Sequence, residues 1–251
     1  MQLKNKNPDN LRIFLLLYFS RGVKVIKYIK NMITLSEVKN NPQVLNFIKQ
    51  TEDAMAALEY TNHGIRHANL VAERAKKLIK DLGLSKEEGE LSAVAGFCHD
   101  MGNFMTRTYH HYYGALIFHQ IFQDKFEPEE VSTIMQAIAN HDKDEMNFTS
   151  TVSAVLVLAD KSDVDRSRVT ETDIEKVKKD IHDRINYATR ESKIKVDKEK
   201  KRITLTLKID TNFCPVMEYF EVFTERMVFC RKAAEFLGYD FGLVINKFRL
   251  L

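Results

Sequence analysis

The sequence predicts a mainly α protein, a helical bundle carrying a small C-terminal α+β appendage made of a β-hairpin and a long helix. Three observations carry that expectation. From about Pro42 to Ala188 apolar residues recur at helical spacing. Two segments after residue 190 alternate apolar and polar residues instead, the period of strands. A further stretch of helical period follows them.

Taken in order, residues 1–31 are basic and apolar, with Asp9 as their one acidic residue. They read as an extension, either poorly packed or a basic amphipathic segment that touches a membrane or a partner. A fresh start follows at Met32, where Thr34 or Ser36 caps a helix with Glu37 in its first turn. Leu91, Val94, Ala95 and Cys98 form an inward helical face that ends on His99-Asp100, with Gly102 as a stop. Pro128-Glu-Glu opens another helix, with Val131, Ile134, Met135 and Ile138 inside and an end near His141. Thr151–Asp160 is apolar nearly all round and reads as a central buried helix, although periodicity alone also admits a buried strand. Glu171–Tyr187 reads as one long helix with Ile174, Val177, Ile181 and Ile185 inside. Lys193–Val196 and Arg202–Ile209 then pair as a hairpin around charged Asp197–Lys201. A helix over Val216–Leu237 stops at Gly238, and Phe241–Asn246 forms a third strand. The expected division is an extension (1–31), a helical domain (32–190) and an appendage (191–251).

A chain of 251 residues, 44% hydrophobic and 29% charged, buries a core without disulfides. A net charge of +3 gives no general argument for nucleic-acid binding. Cys98, Cys214 and Cys230 include no CxxC pair and read as reduced thiols. The apolar run Ile13–Phe19 is too short to cross a membrane, and no small-residue cleavage site follows it. A cytoplasmic location is expected, with neither membrane nor nucleic acid as a partner.

The chemistry-bearing set is His67, His99-Asp100, His111, His141 and Asp160. All fall at or near the ends of strongly apolar helices. Imidazole and carboxylate groups beside buried faces are costly unless paired or bound to a cation. The mixture of nitrogen and oxygen ligands suits Fe, Mn, Co or Zn better than Mg or Ca.

These residues lie in five ordered texts: TNHGIRHANLVAERA, FCHDMGN, HYYGA, AIANHD and VLVLADKSDVDRSR. Together, over about residues 60–168, they resemble the HD superfamily of metal-dependent phosphohydrolases. The texts His111–Ala115, Ala137–His141 and Leu158–Asp160 look like the two-metal branch that cleaves dinucleoside tetraphosphates. The resemblance implies an HD-type bundle in which His67, His99, Asp100 and Asp160 are the core ligands. His111 and His141 would then hold a second divalent transition metal, with Asp100 bridging both ions. His110 competes with His111, but only His111 has a glycine three residues later. His63, one turn before His67, is a candidate for the outer sphere.

The implied reaction is hydrolysis of a phosphoester or phosphoanhydride, of a nucleotide or dinucleotide. Asp100 and Lys161 would be catalytic, and Lys161, Arg166 and Arg168 would bind phosphate, with a solvated charged loop as the plain alternative for each cation. Departures from the pattern bear on the substrate. The gap from His99-Asp100 to His111 is short, and Asn103 stands where many relatives have Lys. No H-H-E followed by G-Y-P occurs, and the segment after residue 190 does not match the tetraphosphatase branch. Two other readings compete: a di-iron oxygenase on the same scaffold, and a non-catalytic metal- or nucleotide-binding signalling module. The segment after residue 190 holds no histidine, so it is expected to shape substrate choice or assembly and to supply no metal ligand. Its apolar stripe (Val216, Tyr219, Phe220, Phe223, Met227, Cys230) needs cover from the hairpin or from a second subunit, and a hairpin that covers only one side would favour a homodimer.

Overall fold

The structure is a computed structural model that describes residues 14–20, 23–29 and 32–251. Phe14–Ser20 (β1) and Val23–Ile29 (β2) pair antiparallel. The expectations for the side chains of residues 1–31 lie outside the described residues. The bundle begins with Leu35–Lys39 (α1) and Pro42–Ala57 (α2), and continues with Ile65–Leu82 (α3) and Lys86–Cys98 (α4). His110–Phe122 (α5), Pro128–Asn140 (α6) and Thr151–Lys161 (α7) complete the part that matters for the site.

Capping chemistry sets several of these boundaries. Thr34, not Ser36, caps α1 in a reciprocal box with Glu37, and Ser85 with Glu88 does the same for α4. Pro128 stands in the first turn of α6, where its missing N–H is not needed. Helix α7 is the centre of the fold. Every residue from Val152 to Lys161 is buried, and α3, α4, α6 and α10 pack around it. A helix without a polar face can only be stable when covered on all sides, so TVSAVLVLAD is a buried helix and not a strand.

The entry to α1 is anchored by two buried carboxylates. The Leu35 N–H donates to Glu90 Oε2 at 2.9 Å, and the Ile33 N–H donates to Glu130 Oε1 at 3.3 Å. Burial pushes the Glu90 carboxyl up, but the Leu35 N–H and the Lys76 ammonium outweigh it. The net effect holds Glu90 below the ordinary glutamate value of 4.5. A lowered carboxyl contributes stability that is present above its unfolded pKa and lost as pH falls through the folded one. Glu90→Ala is therefore expected to cost ~1–3 kcal/mol at pH 7. That deficit should shrink below about pH 4. Urea unfolding at both pH values checks this, and a deficit that persists unchanged in acid contradicts it.

The segment predicted as one helix over Glu171–Tyr187 is two. Ile174–Val177 (α8) and Ile181–Ala188 (α9) are separated because Asp180 caps a new helix by accepting from the Asp183 N–H. Val177 and Ile185 are buried as expected, whereas Ile174 is exposed. Thr189–Asp197 (β3) and Arg202–Ile209 (β4) form the antiparallel hairpin, with Val196 opposite Ile203 and Ile194 opposite Leu205. Val216–Phe236 (α10) then crosses over to Asp240–Ile245 (β5), which runs parallel to β4, and Phe248–Arg249 (β6) closes the edge. The sheet order is β3-β4-β5-β6. Parallel neighbours require a crossover of this length, and α10 supplies it.

One continuous set of buried residues runs from Ile33 through α3, α4 and α7 into β4, α10 and β5. Tyr219, Phe223, Met227 and Cys230 are thus buried within the chain. The stripe that motivated a homodimer is covered by α7 and the sheet. Among the described residues no helix is long and apolar enough to cross a membrane.

Candidate metal centre

Four helix ends and one helix interior converge at the C-terminal half of α7. His67 comes from α3, His99 and Asp100 from the turn after α4, His110 from the start of α5, His141 from the end of α6, and Asp160 from α7. All six are buried. The four imidazoles share one arrangement, in which each turns Nδ1 outward to a fixed acceptor. His67 Nδ1 faces Asp163 Oδ2 at 2.7 Å, and His99 Nδ1 faces Gly96 O at 2.8 Å. His110 Nδ1 faces Arg107 O at 2.8 Å, and His141 Nδ1 faces Ile138 O at 2.7 Å. Donation from Nδ1 leaves the inward Nε2 as a lone pair, the tautomer a metal ligand needs.

Those inward nitrogens meet in pairs. His67 and His99 bring their Nε2 atoms to 3.2 Å, and His110 and His141 bring theirs to 3.1 Å. Asp100 lies between the pairs. Its Oδ2 is 3.2 Å from His99 Nε2 and 3.5 Å from His67 Nε2, while its Oδ1 is 3.4 Å from His110 Nε2 and 3.7 Å from His141 Nε2. Asp160 Oδ1 joins the first pair, 3.2 Å from His67 Nε2 and 3.6 Å from His99 Nε2. Within this cluster Asp100 Oδ2 is buried with no hydrogen-bond donor.

Facing lone pairs and an undonated buried carboxylate oxygen are unfavourable unless a positive charge sits among them. The residues therefore fit a divalent cation. Three overlapping groups could each hold one: His67, His99 and Asp100; His99, His141 and Asp160; and Asp100, His110 and His141. The carboxylates favour positive charge at this point, whether on a bound cation or on an imidazole. Burial lowers the His99 pKa, but Asp100 and Asp160 outweigh it and push it up to about 10. Burial raises both carboxyls, yet their basic neighbours, His99 for Asp100 and Lys161 for Asp160, hold them well below the usual range. Burial takes His141 down to about 4.

The sequence reading preferred His111, and here the geometry differs. His111 packs its ring on Tyr112 with 4.2 Å between centroids, its Nδ1 is buried without a partner, and it joins none of the three groups. His110 takes the place beside Asp100. Helix phase is the reason. Gly114 docks against the turn after α4, where a Cβ would meet His99 O at 3.0 Å. A residue four positions earlier lies about 40° from it around the helix and one three positions earlier about 60° on the other side. His110 therefore falls toward the His99-Asp100 turn. Gly102 completes the contact. It is not the left-handed helix stop that its position suggests, because its φ lies outside that region. What it provides is space, since a Cβ there would lie 2.1 Å from His110 O.

Beside the cluster opens a small pocket lined by His63, Asp100, Arg107, His110, His141, Asp142, Asp160, Lys161, Arg168 and Arg226. Lys161 donates to Asp142 Oδ1 at 2.5 Å and lies 3.0 Å from Asp160 Oδ2. Arg168 contacts His63 Nε2 at 3.1 Å and Asp163 Oδ2 at 3.4 Å. His63, whose pKa burial and Arg168 hold well below 6.5, is neutral there and accepts from the guanidinium. Arg166 is not in the pocket. It stacks on Tyr187 with its Cζ 4.0 Å from the ring centroid and donates to Tyr187 O. The 3₁₀ turn of Arg166–Arg168 has three residues per turn, so residues two apart point to different sides.

Several lining or supporting groups are not marked in the sequence, Asp142, Asp163 and Arg107 among them. Asp142 pairs with both Lys161 and Arg107, and the second His-Asp dipeptide, His141-Asp142, was its only signal. Asp163 fixes His67 and pairs with Arg66. Arg107 donates to Asn103 Oδ1 at 2.9 Å, while Asn103 Nδ2 donates to Asp100 Oδ1 at 2.8 Å. The residue found where many relatives have Lys thus supports a bridge from Asp100 to a cation one turn later.

Residues 64–188 match the family model of the HD domain. Over 155 residues the chain is 27% identical to the uncharacterized protein MJ1020 of Methanocaldococcus jannaschii, a match covering 53% of this chain and 60% of that relative. The match thus spans less than two thirds of the relative's length. HD domains are metal-dependent phosphohydrolase modules, and the mostly helical fold with its convergent His and Asp residues agrees with that class. Residues 64–188 of this chain form an HD domain.

Proposed function

We propose that this protein hydrolyses a phosphoester or phosphoanhydride bond of a nucleotide or dinucleotide, with two divalent transition metal ions held by His67, His99, Asp100, His110, His141 and Asp160. The observation that carries this reading is the pairing of inward Nε2 atoms on either side of one carboxylate, each oxygen of Asp100 serving one pair. Bound ions of this kind acidify water and neutralise charge on phosphate oxygens. The residues of the chain would do the rest. Asp163 holds the His67 ring in register, Asn103 holds Asp100, and Arg107, Lys161 and Arg168 offer donors to phosphate oxygens. The enclosed space in the pocket is about 10 Å³, room for about one water molecule. Pockets for whole small ligands run to ~300–1,000 Å³. The substrate would therefore stay outside and present a phosphoryl group at the mouth of the pocket.

The direct test is metal analysis of the purified protein, followed by a screen of nucleotides and dinucleoside polyphosphates with and without chelator. Chelator-sensitive hydrolysis is expected, and a protein that retains no divalent metal, or hydrolyses equally well after chelation, sinks the reading. Lys161→Ala is expected to keep its metal and raise KM ~10-fold or more, because it removes one phosphate donor among several. Metal loss equal to that of a ligand variant would remove Lys161 from substrate binding and make it a support for Asp160.

A further inference from the structure

Arg226 lies on α10, outside the residues matched to the HD domain, yet it lines the pocket beside the metal cluster. Its position differs from that of every other cation there. Arg107 pairs with Asp142, Lys161 with Asp142 and Asp160, and Arg168 with Asp163. Arg226 is half-buried, and its guanidinium lies 4.6 Å from the centroid of the Phe223 ring. Among the described residues it pairs with no carboxylate. Lys161 and Arg168 are close enough to feel its like charge. The pocket lining sets four cations against three carboxylates, and the other three cations are each paired, so Arg226 is the one left to receive an anion at the pocket mouth. Its planar fork matches two oxygens of a phosphate, and stacking on an aromatic ring preorganises that fork.

Resting on the phosphohydrolase reading, we infer that Arg226 is a substrate-binding residue whose guanidinium holds phosphate oxygens of the substrate. Helix α10 thereby becomes one wall of the active site, and the region after residue 190 takes part in binding the phosphorylated group. Helix α10 is the crossover between β4 and β5, and it packs on α7, so Arg226 and Lys161 line the same pocket.

The test uses the full chain loaded with metal, with inorganic phosphate as the probe. Arg226→Gln and Arg226→Met are compared with Arg231→Gln, an exposed arginine on the same helix that pairs with Glu235. The Met variant keeps an apolar stem over Phe223. Calorimetric titration should show phosphate affinity weakened ~10- to 100-fold in both Arg226 variants and unchanged in the Arg231 variant, with metal content equal in all. In the parent protein, the side-chain Nε–H resonance of Arg226 should shift on phosphate addition, a readout that does not depend on any variant folding. Affinity within about twofold of the parent in either Arg226 variant, or a resonance that does not move, overturns the inference and leaves the phosphohydrolase reading standing. A metal-loaded parent that binds no phosphate overturns both.

Discussion

Asp100→Ala is expected to lose both metal ions and at least ~1,000-fold of hydrolytic activity, equivalent to ~4 kcal/mol of transition-state stabilisation. The expectation follows from the placement of its two oxygens. Oδ2 faces His67 and His99 and Oδ1 faces His110 and His141, so one side chain serves both halves of the cluster. No neighbouring group is placed to take over. Asp160 Oδ1 reaches the first pair, but its Oδ2 is engaged by Lys161, and Asp142 is engaged by Lys161 and Arg107. Truncation also leaves His110 Nε2 with Asp142 at 3.7 Å, and His141 with Asp160 within 4.8 Å, as neighbouring carboxylates, neither of which spans both pairs. Metal analysis and turnover of the same preparation check this, with far-ultraviolet circular dichroism to confirm folding. A variant that keeps its metal and loses less than about tenfold in rate would show that Asp100 does not bridge.

How much of this site could be read from the residues depended on what fixes each one. His67, His99, Asp100, His141 and Asp160 end or interrupt strongly apolar stretches, and a polar group in such a place has few inexpensive positions other than a shared cluster. Their convergence was legible for that reason. The β3–β4 hairpin was legible from its period, and the buried character of α7 from its lack of a polar face. The choice between His110 and His111 was not legible. Adjacent helical residues differ by 100° in direction, and the docking of Gly114 on the turn after α4 settles which one faces inward. Arg226 was invisible for a different reason. Nothing local in VFTERMVF marks one arginine as pocket-facing, because its neighbours come from the packing of α10 on α7. The break between α8 and α9 depended on Asp180 acting as a cap, where helical periodicity alone ran straight through.

The histidine pair gives the second large expected effect, and it separates the geometry from the sequence pattern. His110→Ala should reduce the metal content from about two ions to about one and cut activity by more than ~100-fold. Groups that only support a ligand already cost ~10–100-fold when removed. His110 Nε2 stands 3.1 Å from His141 Nε2 and 3.4 Å from Asp100 Oδ1, so its loss strips one of three side chains from the second half of the cluster. His111→Ala should keep both ions. Its ring is packed against Tyr112, its pKa is lowered to about 4 by burial, and no carboxylate of the cluster lies against it. The cost there should appear in stability, as ~1–3 kcal/mol from lost packing. Metal stoichiometry of the two variants decides between them. Retention of two ions by the His110 variant with loss in the His111 variant would mean that α5 rotates on metal binding and that the pattern of a histidine followed three residues later by glycine was the better guide. Loss in both would mean that the adjacent pair acts together, with His111 holding the ring of His110 in place.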